Sequence, residues 1–416
     1  MKKSNFMLFG VEYRKEFVYL TTEGLRWHKR NYSVEDGFRE LEEEIGFGGY
    51  SGKFVIFTTS EALRFLKKKE GLEVVENDKG VYVLESAAFR FVNFNQVANI
   101  SNRVEQVKEK YGTKGDNELE LMENFVEFLL SLDVPHRIIA SKWLTGIQRE
   151  IFYRGLSREE LCYKDKRFNK MKSSTAEKRR FVYDYLNRCC PNSGILDTTV
   201  GEWSDVISID MSSQYPYILA AYCFMVEDPY NDFYKGQPYS GAWDYLPIKF
   251  RQRIVKFYRK KEEGTTGKFY KLCLNSLVGK SISEYELKKN NDIKTSFLCP
   301  QHGFQVIEIG RRLLEEMTQK LKAEGFIILQ RDTDSIKFQG DVERTKAILK
   351  EENDKVVRRL MKSGLTFKEA SCGIGQWKFE YKAERFVQTA PKHYTYWVDG
   401  IEYVKGQRDE TFEIGY

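Results

Sequence analysis

Three carboxylates stand where they could hold a metal ion. The run "VISID" reads as a buried strand that ends on Asp210, and a carboxylate at a strand end is a ligand mounted on a rigid element. Further along, "FIIL" leads into Asp332-Thr333-Asp334, and a second strand-like run, "SIKF", follows. Two carboxylates at i and i+2 in a tight turn can face one site. Such oxygen donors suit Mg2+, which keeps its other positions for water and phosphates. Between these signals lies "IVKFYRKKEEGTTGKFYKLCLNSLVGK". It reads as two cationic helices, the first ending on Arg259, Lys260 and Lys261. Lys268 and Lys271 share one face of the second because they are three residues apart, and such a face can grip a triphosphate. Each signal alone has a plainer reading. An Asp after a strand often only starts a turn, a DxD turn also holds nucleotide sugars in glycosyltransferases, and a Lys/Arg face is usual on an exposed helix.

Taken together and in this order, the three resemble the polymerase motifs of family B DNA polymerases. "DMSSQYP" resembles Asp-x-x-Ser-Leu-Tyr-Pro, "KLCLNSLVGK" resembles Lys-x-x-x-Asn-Ser-x-Tyr-Gly, and "DTDS" is the third motif unchanged. A fourth, Lys-x-Tyr, is matched by Lys392-His393-Tyr394 downstream of Trp377. Order and spacing point to the protein-primed subgroup of phages and linear plasmids, and the resemblance spans about residues 180 to 405. It implies a DNA-directed DNA polymerase working by two-metal phosphoryl transfer. Asp210 and Asp334 would be the ligands of Mg2+, with Mn2+ able to substitute, and Asp332 a nearby, less direct catalytic carboxylate. Ser213, Tyr215, Arg259, Lys260, Lys271, Asn275 and Ser276 would contact the dNTP, with Tyr215 excluding a 2′-hydroxyl. Lys392 and Tyr394 would hold the primer end. The implied partners are primer–template DNA and dNTPs, with a terminal protein or other replication proteins beside them. Three departures stand out. Val278 replaces the tyrosine of the second motif, Gln214 replaces a leucine of the first, and Cys189-Cys190 fall where the subgroup carries two glycines.

The elements that must position these residues read as an α+β chain. The resemblance implies a palm of antiparallel sheet and helices over 201–245 and 283–400, helical fingers over 246–282, and a thumb remnant over 401–416. A basic linker is expected over 151–200. Residues 1–150 read as an α/β domain, because "KEFVYLTTEG", "GKFVIFTTS" and "GVYVLESAAF" are strand-like. The helical segment "SEALRFLKKKEG" offers Ser60 as N-cap and Gly71 as stop, and "DNELELMENFVEFLLSL" offers Asp116 as cap. In the family this place is held by an RNase H-like 3′–5′ exonuclease with four carboxylates. Here Val18 and Leu20 align with the first pair, and Thr59 and Leu63 with the second motif. Near the third, only Tyr111 and Asp116 approach the pattern. A degenerate exonuclease domain without a metal site is expected, with an unrelated α/β domain as the rival. Asp116 and Glu118 form a literal Asp-x-Glu, but at a helix start, where acidic residues favour the macrodipole.

The chain has 416 residues, of which 41% are hydrophobic, 31% charged and 14% aromatic, with a net charge of +6. This is a globular composition with a core, which excludes disorder and collagen-like repeats. The basic excess clusters over 164–180, with Arg167, Lys170, Arg179 and Arg180 among its cations and Phe181, Tyr183 and Tyr185 just after. Basic groups neutralise phosphates and rings stack on bases, and the plainer reading is a solvated linker. The seven cysteines read as reduced thiols, no apolar run spans a membrane, and no signal peptide is evident, so a cytoplasmic protein is expected. Cys299 and His302 make half a zinc pattern without a second pair. Little chain follows Tyr394 for a thumb. The stretch between Asp210 and Lys271 is short for an insertion that docks a terminal protein, so poor strand displacement and low processivity are expected.

Overall fold

The computed structural model describes residues 17–48, 54–66, 73–76, 82–85, 89–101, 103–139, scattered positions between 147 and 189, and then 196–227, 229–262, 267–282, 286–287, 292–293 and 300–406. Gly71, Arg167, Lys170, Arg179, Tyr183 and Cys299 lie outside these residues. The chain divides into two compact units, Met1–Arg154 with Lys261–Tyr270, and Gly155–Lys260 with Lys271–Tyr416.

The first unit is built on β1 (Val18–Leu20), β2 (Leu25–Trp27), β3 (Arg30–Tyr32), β4 (Phe54–Thr58), β5 (Glu73–Glu76), β6 (Tyr82–Glu85) and β7 (Phe89–Asn93). They form one sheet in the order β3-β2-β1-β4-β7-β6-β5. β4 pairs in parallel with β1 and β7, and the other pairs are antiparallel. β4 is "FVIFT" and buried throughout, as a parallel strand covered on both faces must be. Side chains alternate along the strands. Val18, Leu20, Leu25, Ile56 and Leu63 share one core, while Tyr19 and Phe57 stack on each other and Phe57 meets Phe94 edge-on. Two caps differ from the sequence expectation. The helix Ser60–Leu66 is capped by Thr59, whose Oγ1 accepts from the Ala62 N–H at 3.1 Å. The helix Glu118–Ser131 is capped by Asn117, whose side chain accepts from the Glu120 N–H at 3.0 Å, and Asp116 gives only its backbone N–H, to the Glu120 carboxylate. Asn117 holds the extended backbone that a capping residue needs. Burial, then Glu105, Glu23 and Glu61, push the Glu118 carboxyl above its usual range.

The short segment Lys261–Tyr270 belongs to this unit. Phe269 packs edge-on against Phe128, with ring centroids 4.9 Å apart. The Lys268 ammonium donates to the Glu109 carbonyl at 2.8 Å, a structural partner that the reading of a phosphate-gripping face did not assign.

The second unit holds β8 (Leu196–Thr198), β9 (Gly201–Met211), β10 (Cys223–Met225), β11 (Trp243–Tyr245), β12 (Glu286–Leu287), β13 (Asp292–Ile293), β14 (Ile327–Asp332), β15 (Ser335–Gln339), β16 (Trp377–Ala390), β17 (His393–Val398) and β18 (Ile401–Lys405). β10–β11 and β12–β13 are separate pairs, and the other seven form one sheet, β18-β17-β16-β9-β15-β14-β8. All of its pairs are antiparallel. One face carries Ile207, Ile209, Met211, Ile336 and Phe338, all buried, with the helices Pro300–Ala323 and Val342–Lys362 packed on the sheet. Alternation turns Ser208 and Asp210 to the other face, which also has a small core of Val206, Leu329, Ala383, Phe386 and Tyr394. Residues 401–405, read as the start of a thumb remnant, form the edge strand β18.

The cationic helices are Ile248–Lys261 and Gly267–Ile282. The first buries Phe250, Ile254, Phe257 and Tyr258 along one stripe. Phe181 and Tyr185, read as rings available for bases, instead pack with Leu186, Phe233 and Phe304, and Tyr185 stacks on Phe233 at 4.3 Å. Arg180 is half-buried at the start of this segment. His302 is fully buried and its Nε2 donates to the Met225 carbonyl at 3.0 Å. Burial lowers its pKa to about 4, so it is a neutral core histidine. Among the described residues no helix is long and apolar enough to cross a membrane.

Candidate active site

The register of three strands brings the carboxylates together. Ser335 of β15 pairs with Asp210 of β9, and Lys378 of β16 pairs with Asp210 from the other side. The Met211 N–H donates to the Asp334 carbonyl at 2.7 Å, which ties the end of β9 to the β14–β15 turn. That turn closes through the Asp334 N–H and the Asp332 carbonyl at 2.6 Å, with Thr333 at φ 53°. Asp334 is pushed up from 3.8 to about 7, first by burial and next by Asp210, with Asp332 and Glu380 adding to it. Carboxylates that repel one another in a half-buried place are stabilised by a cation. Among the described residues no three His, Cys, Asp or Glu side chains form a metal cage. Mg2+ asks for none, because one or two carboxylates suffice when water and substrate phosphates complete its shell. The all-oxygen donor set of Asp210 and Asp334 therefore fits that ion.

The chain after Asp210 is held tightly. The Ser212 hydroxyl bonds the Tyr258 hydroxyl at 2.8 Å. Ser213 takes a left-handed φ of 52° at the N-cap of the helix Gln214–Ala221, without a side-chain cap bond. Such strain in a non-glycine residue persists where surrounding structure enforces it. Gln214, which departs from the family's leucine, is buried and reaches the Thr333 carbonyl at 3.3 Å. It thereby bridges the loop after Asp210 to the turn carrying Asp334. Tyr215 is half-buried beside the carboxylates, and burial, then Asp334 and Asp332, raise its pKa. Gly310 makes room for this arrangement, since a Cβ there would lie 2.7 Å from Gln214 Oε1 and 3.2 Å from the Tyr215 ring.

Lys392 is exposed in the β16–β17 turn, with Nζ 3.6 Å from Asp332 Oδ1. Tyr394 is buried, its ring in the small core of this face. Arg259 is half-buried and donates to the Lys368 carbonyl, while Lys260 is half-buried next to it. Lys271 and Asn275 lie one turn apart on the exposed side of their helix. The Ser276 hydroxyl donates to the Cys273 carbonyl at 2.9 Å, and Val278 is buried on the inner side.

Solved structures with a similar backbone path show the fold. Phi29 DNA polymerase complexed with single-stranded DNA aligns with a TM-score of 0.52 at 13% identity, over 95% of this chain and 92% of that one. Its post-translocation binary complex with primer–template DNA gives 0.53 at 12% identity, again over 95% and 92%. The ternary complex with primer–template DNA and incoming nucleotide gives 0.52 at 13%, over 91% and 87%. The chain has the fold of phi29 DNA polymerase, a family B enzyme. No protein-family model matches the chain, and no curated protein matches it by sequence. At such low identity the likeness to phi29 DNA polymerase is one of backbone path, whereas the four motifs are a likeness of residues.

Two groups on the carboxylate face were not marked by the family B motifs. Glu380 sits at an irregularity of β16 between Phe379 and Tyr381, where it accepts from the Ser208 hydroxyl at 2.8 Å. A bulge re-aims a side chain without any signal in the alternation of the sequence. Lys337 of β15 is 4% exposed, and burial, then Lys405, lower its pKa to about 8. Its sequence signal was available, because a lysine between Ile336 and Phe338 interrupts an otherwise apolar strand.

Proposed function

We propose that the chain is a DNA-directed DNA polymerase that adds dNTPs to a primer 3′ hydroxyl. The observation that carries this reading is the placement of Asp210 and Asp334 at adjoining strand ends, close enough for Asp210 to help raise Asp334 to about 7. Mg2+, or Mn2+ in its place, would supply activation of the hydroxyl and neutralisation of the triphosphate when bound there. Asp210 and Asp334 would hold it, and Asp332 would keep Lys392 in place beside the primer end. Tyr215 would form the wall against a 2′-hydroxyl. Lys271, Asn275 and the cations Arg259 and Lys260 would receive the triphosphate, with Ser276 shaping that helix. In-line transfer asks for this positioning and charge neutralisation more than for covalent chemistry.

In this reading the seven-stranded antiparallel sheet is the palm and the two cationic helices are the fingers. The mixed sheet of the first unit is a degenerate exonuclease domain, supported by the apolar, buried Val18, Leu20 and Leu63 at the aligned positions. Synthesis would proceed without proofreading, in the replication of a phage or mobile element in the host cytoplasm. A terminal protein or a nucleic acid would prime it.

Primer extension tests the reading. The purified chain with Mg2+ and dNTPs is expected to extend a primer on a single-stranded template, and Asp334→Ala to abolish extension. Equal behaviour of the two proteins would overturn it.

A further inference from the structure

Lys337 is the least explained charge in the second unit. Its side chain is 96% buried by the 4% exposure above, yet among the described residues its ammonium has no hydrogen bond and no ion pair. The Tyr394 ring centroid lies 4.7 Å from its Nζ. The Lys405 ammonium lies 5.8 Å from the centroid of the same ring, so two like charges share one aromatic neighbour. Asp210, Asp332 and Glu380 act on Lys337 only at longer range. A buried charge needs a partner, and a cation held by those carboxylates would withdraw much of their compensation.

Position says which anion is missing. Lys337 pairs with Ser208, two residues before Asp210 along β9, whereas Ser213 and Tyr215 follow Asp210. Two strand residues span about 7 Å. Lys337 therefore lies on the opposite side of the carboxylates from the nucleotide-facing loop, toward Tyr394 and the Lys392 turn. We propose that Lys337 and Lys405, splayed on the Tyr394 ring, seat a phosphodiester of the primer strand next to the end that is extended. This assignment rests on the polymerase reading and adds to it a positioning residue outside the four motifs. Tyr394 then serves as the platform for two ammonium groups, and its own contact with DNA is secondary.

The test is primer–template binding by the full chain as a function of salt, in Mg2+ without dNTP, for wild type, Lys337→Met and Lys337→Arg. Each phosphate contact contributes about 0.9 to the slope of log K against log salt. Lys337→Met is expected to lower the slope by about one contact and to weaken binding about tenfold, and Lys337→Arg to restore the slope. A primer whose terminal linkage is a neutral methylphosphonate should weaken wild-type binding by the same factor and leave Lys337→Met unaffected. An unchanged slope in Lys337→Met, or a methylphosphonate penalty that persists in it, overturns the assignment. If Lys337→Met does not fold, the wild-type methylphosphonate result decides alone, and no penalty at the terminal linkage overturns it. A wild-type chain that extends primers but shows no such penalty removes only the role of Lys337. A chain that extends no primer removes the polymerase reading and this proposal with it.

Discussion

In the N-terminal sheet, β1 carries Val18 and Leu20, and Thr59 and Leu63 follow β4 at the start of the next helix; all four are buried, and the Thr59 hydroxyl caps that helix. In the C-terminal sheet, the ends of β9 and β14 carry Asp210, Asp332 and Asp334, with Glu380 of β16 close by. The first arrangement is a core that asks for nothing more. Arg26 of the neighbouring β2 is matched by Glu123 at 2.6 Å. The second is an electrostatic liability, with like charges sharing a place partly removed from water. Local conflict of this kind is expected at functional sites, where the rest of the fold must offset it. The contrast agrees with the proposed function, which would put the chemistry in the second sheet and a packing role in the first.

Asp334→Asn separates the two regions most widely. On the proposed function it is expected to lower primer extension by about a thousandfold or more, since the carboxylate would help hold the ion that stabilises the transferring phosphoryl group. The same change should raise the thermal midpoint of the metal-free protein, because it removes repulsion. A lower midpoint would contradict the liability. The pH dependence has a definite sign. The folded pKa of Asp334 lies near 7, above its ordinary 3.8. Its stability contribution is thus fully present below about pH 4 and is lost as pH rises toward 7. Wild type should show this loss between those values in unfolding experiments without metal, and Asp334→Asn should lack it. On the proposed function, extension should fall as pH drops below 7, because protons would compete with Mg2+ for Asp334.

Leu20→Glu asks the reverse question of the N-terminal sheet. An unpaired carboxylate among Val18, Leu25 and Ile56 should destabilise the protein by about 3–5 kcal/mol, the penalty for leaving a buried charge without a partner. Chemical denaturation measures it. Little loss would mean that this sheet tolerates carboxylates as the other does, and the comparison would collapse.

How much of this was legible in residues alone differs between the regions for a physical reason. Asp210 and the Asp332–Asp334 turn announced themselves because hydrophilic residues at the ends of apolar strands break a simple pattern. The α+β class came with the resemblance to family B polymerases, and the cationic helix pair was read from its clustered basic residues. Glu380 was hidden because a local irregularity in β16, not the alternation, places it near Ser208. Gln214 looked like a minor departure, and only the three-dimensional path shows it bridging to the Thr333 carbonyl. The packing of Phe181 and Tyr185 was hidden because their partner Phe233 is far along the chain. The caps at Thr59 and Asn117 each missed by one residue, since adjacent polar residues compete for the same role.

Gly310→Ala should be milder. Its new Cβ would press on Gln214 and Tyr215, and overpacking of this kind costs about 1–3 kcal/mol. A shifted Tyr215 should raise KM for dNTP more than it lowers stability. Steady-state kinetics beside thermal unfolding checks this, and a purely thermal effect would detach Tyr215 from nucleotide binding.

The smallest effects come from two helix caps, one in each region. Asn117 holds extended backbone and accepts from the Glu120 N–H, so Asn117→Ala should cost about 1 kcal/mol. Ser213 stands at the equivalent position of its helix with φ 52° and no side-chain cap bond. A left-handed backbone costs a non-glycine residue about 1–2 kcal/mol, which Ser213→Gly relieves. The glycine variant should therefore be as stable as wild type or more so, while primer extension falls if Ser213 contacts the nucleotide as proposed. If both substitutions cost the same stability, Ser213 is an ordinary cap, and the strain beside Asp210 does not belong to the site.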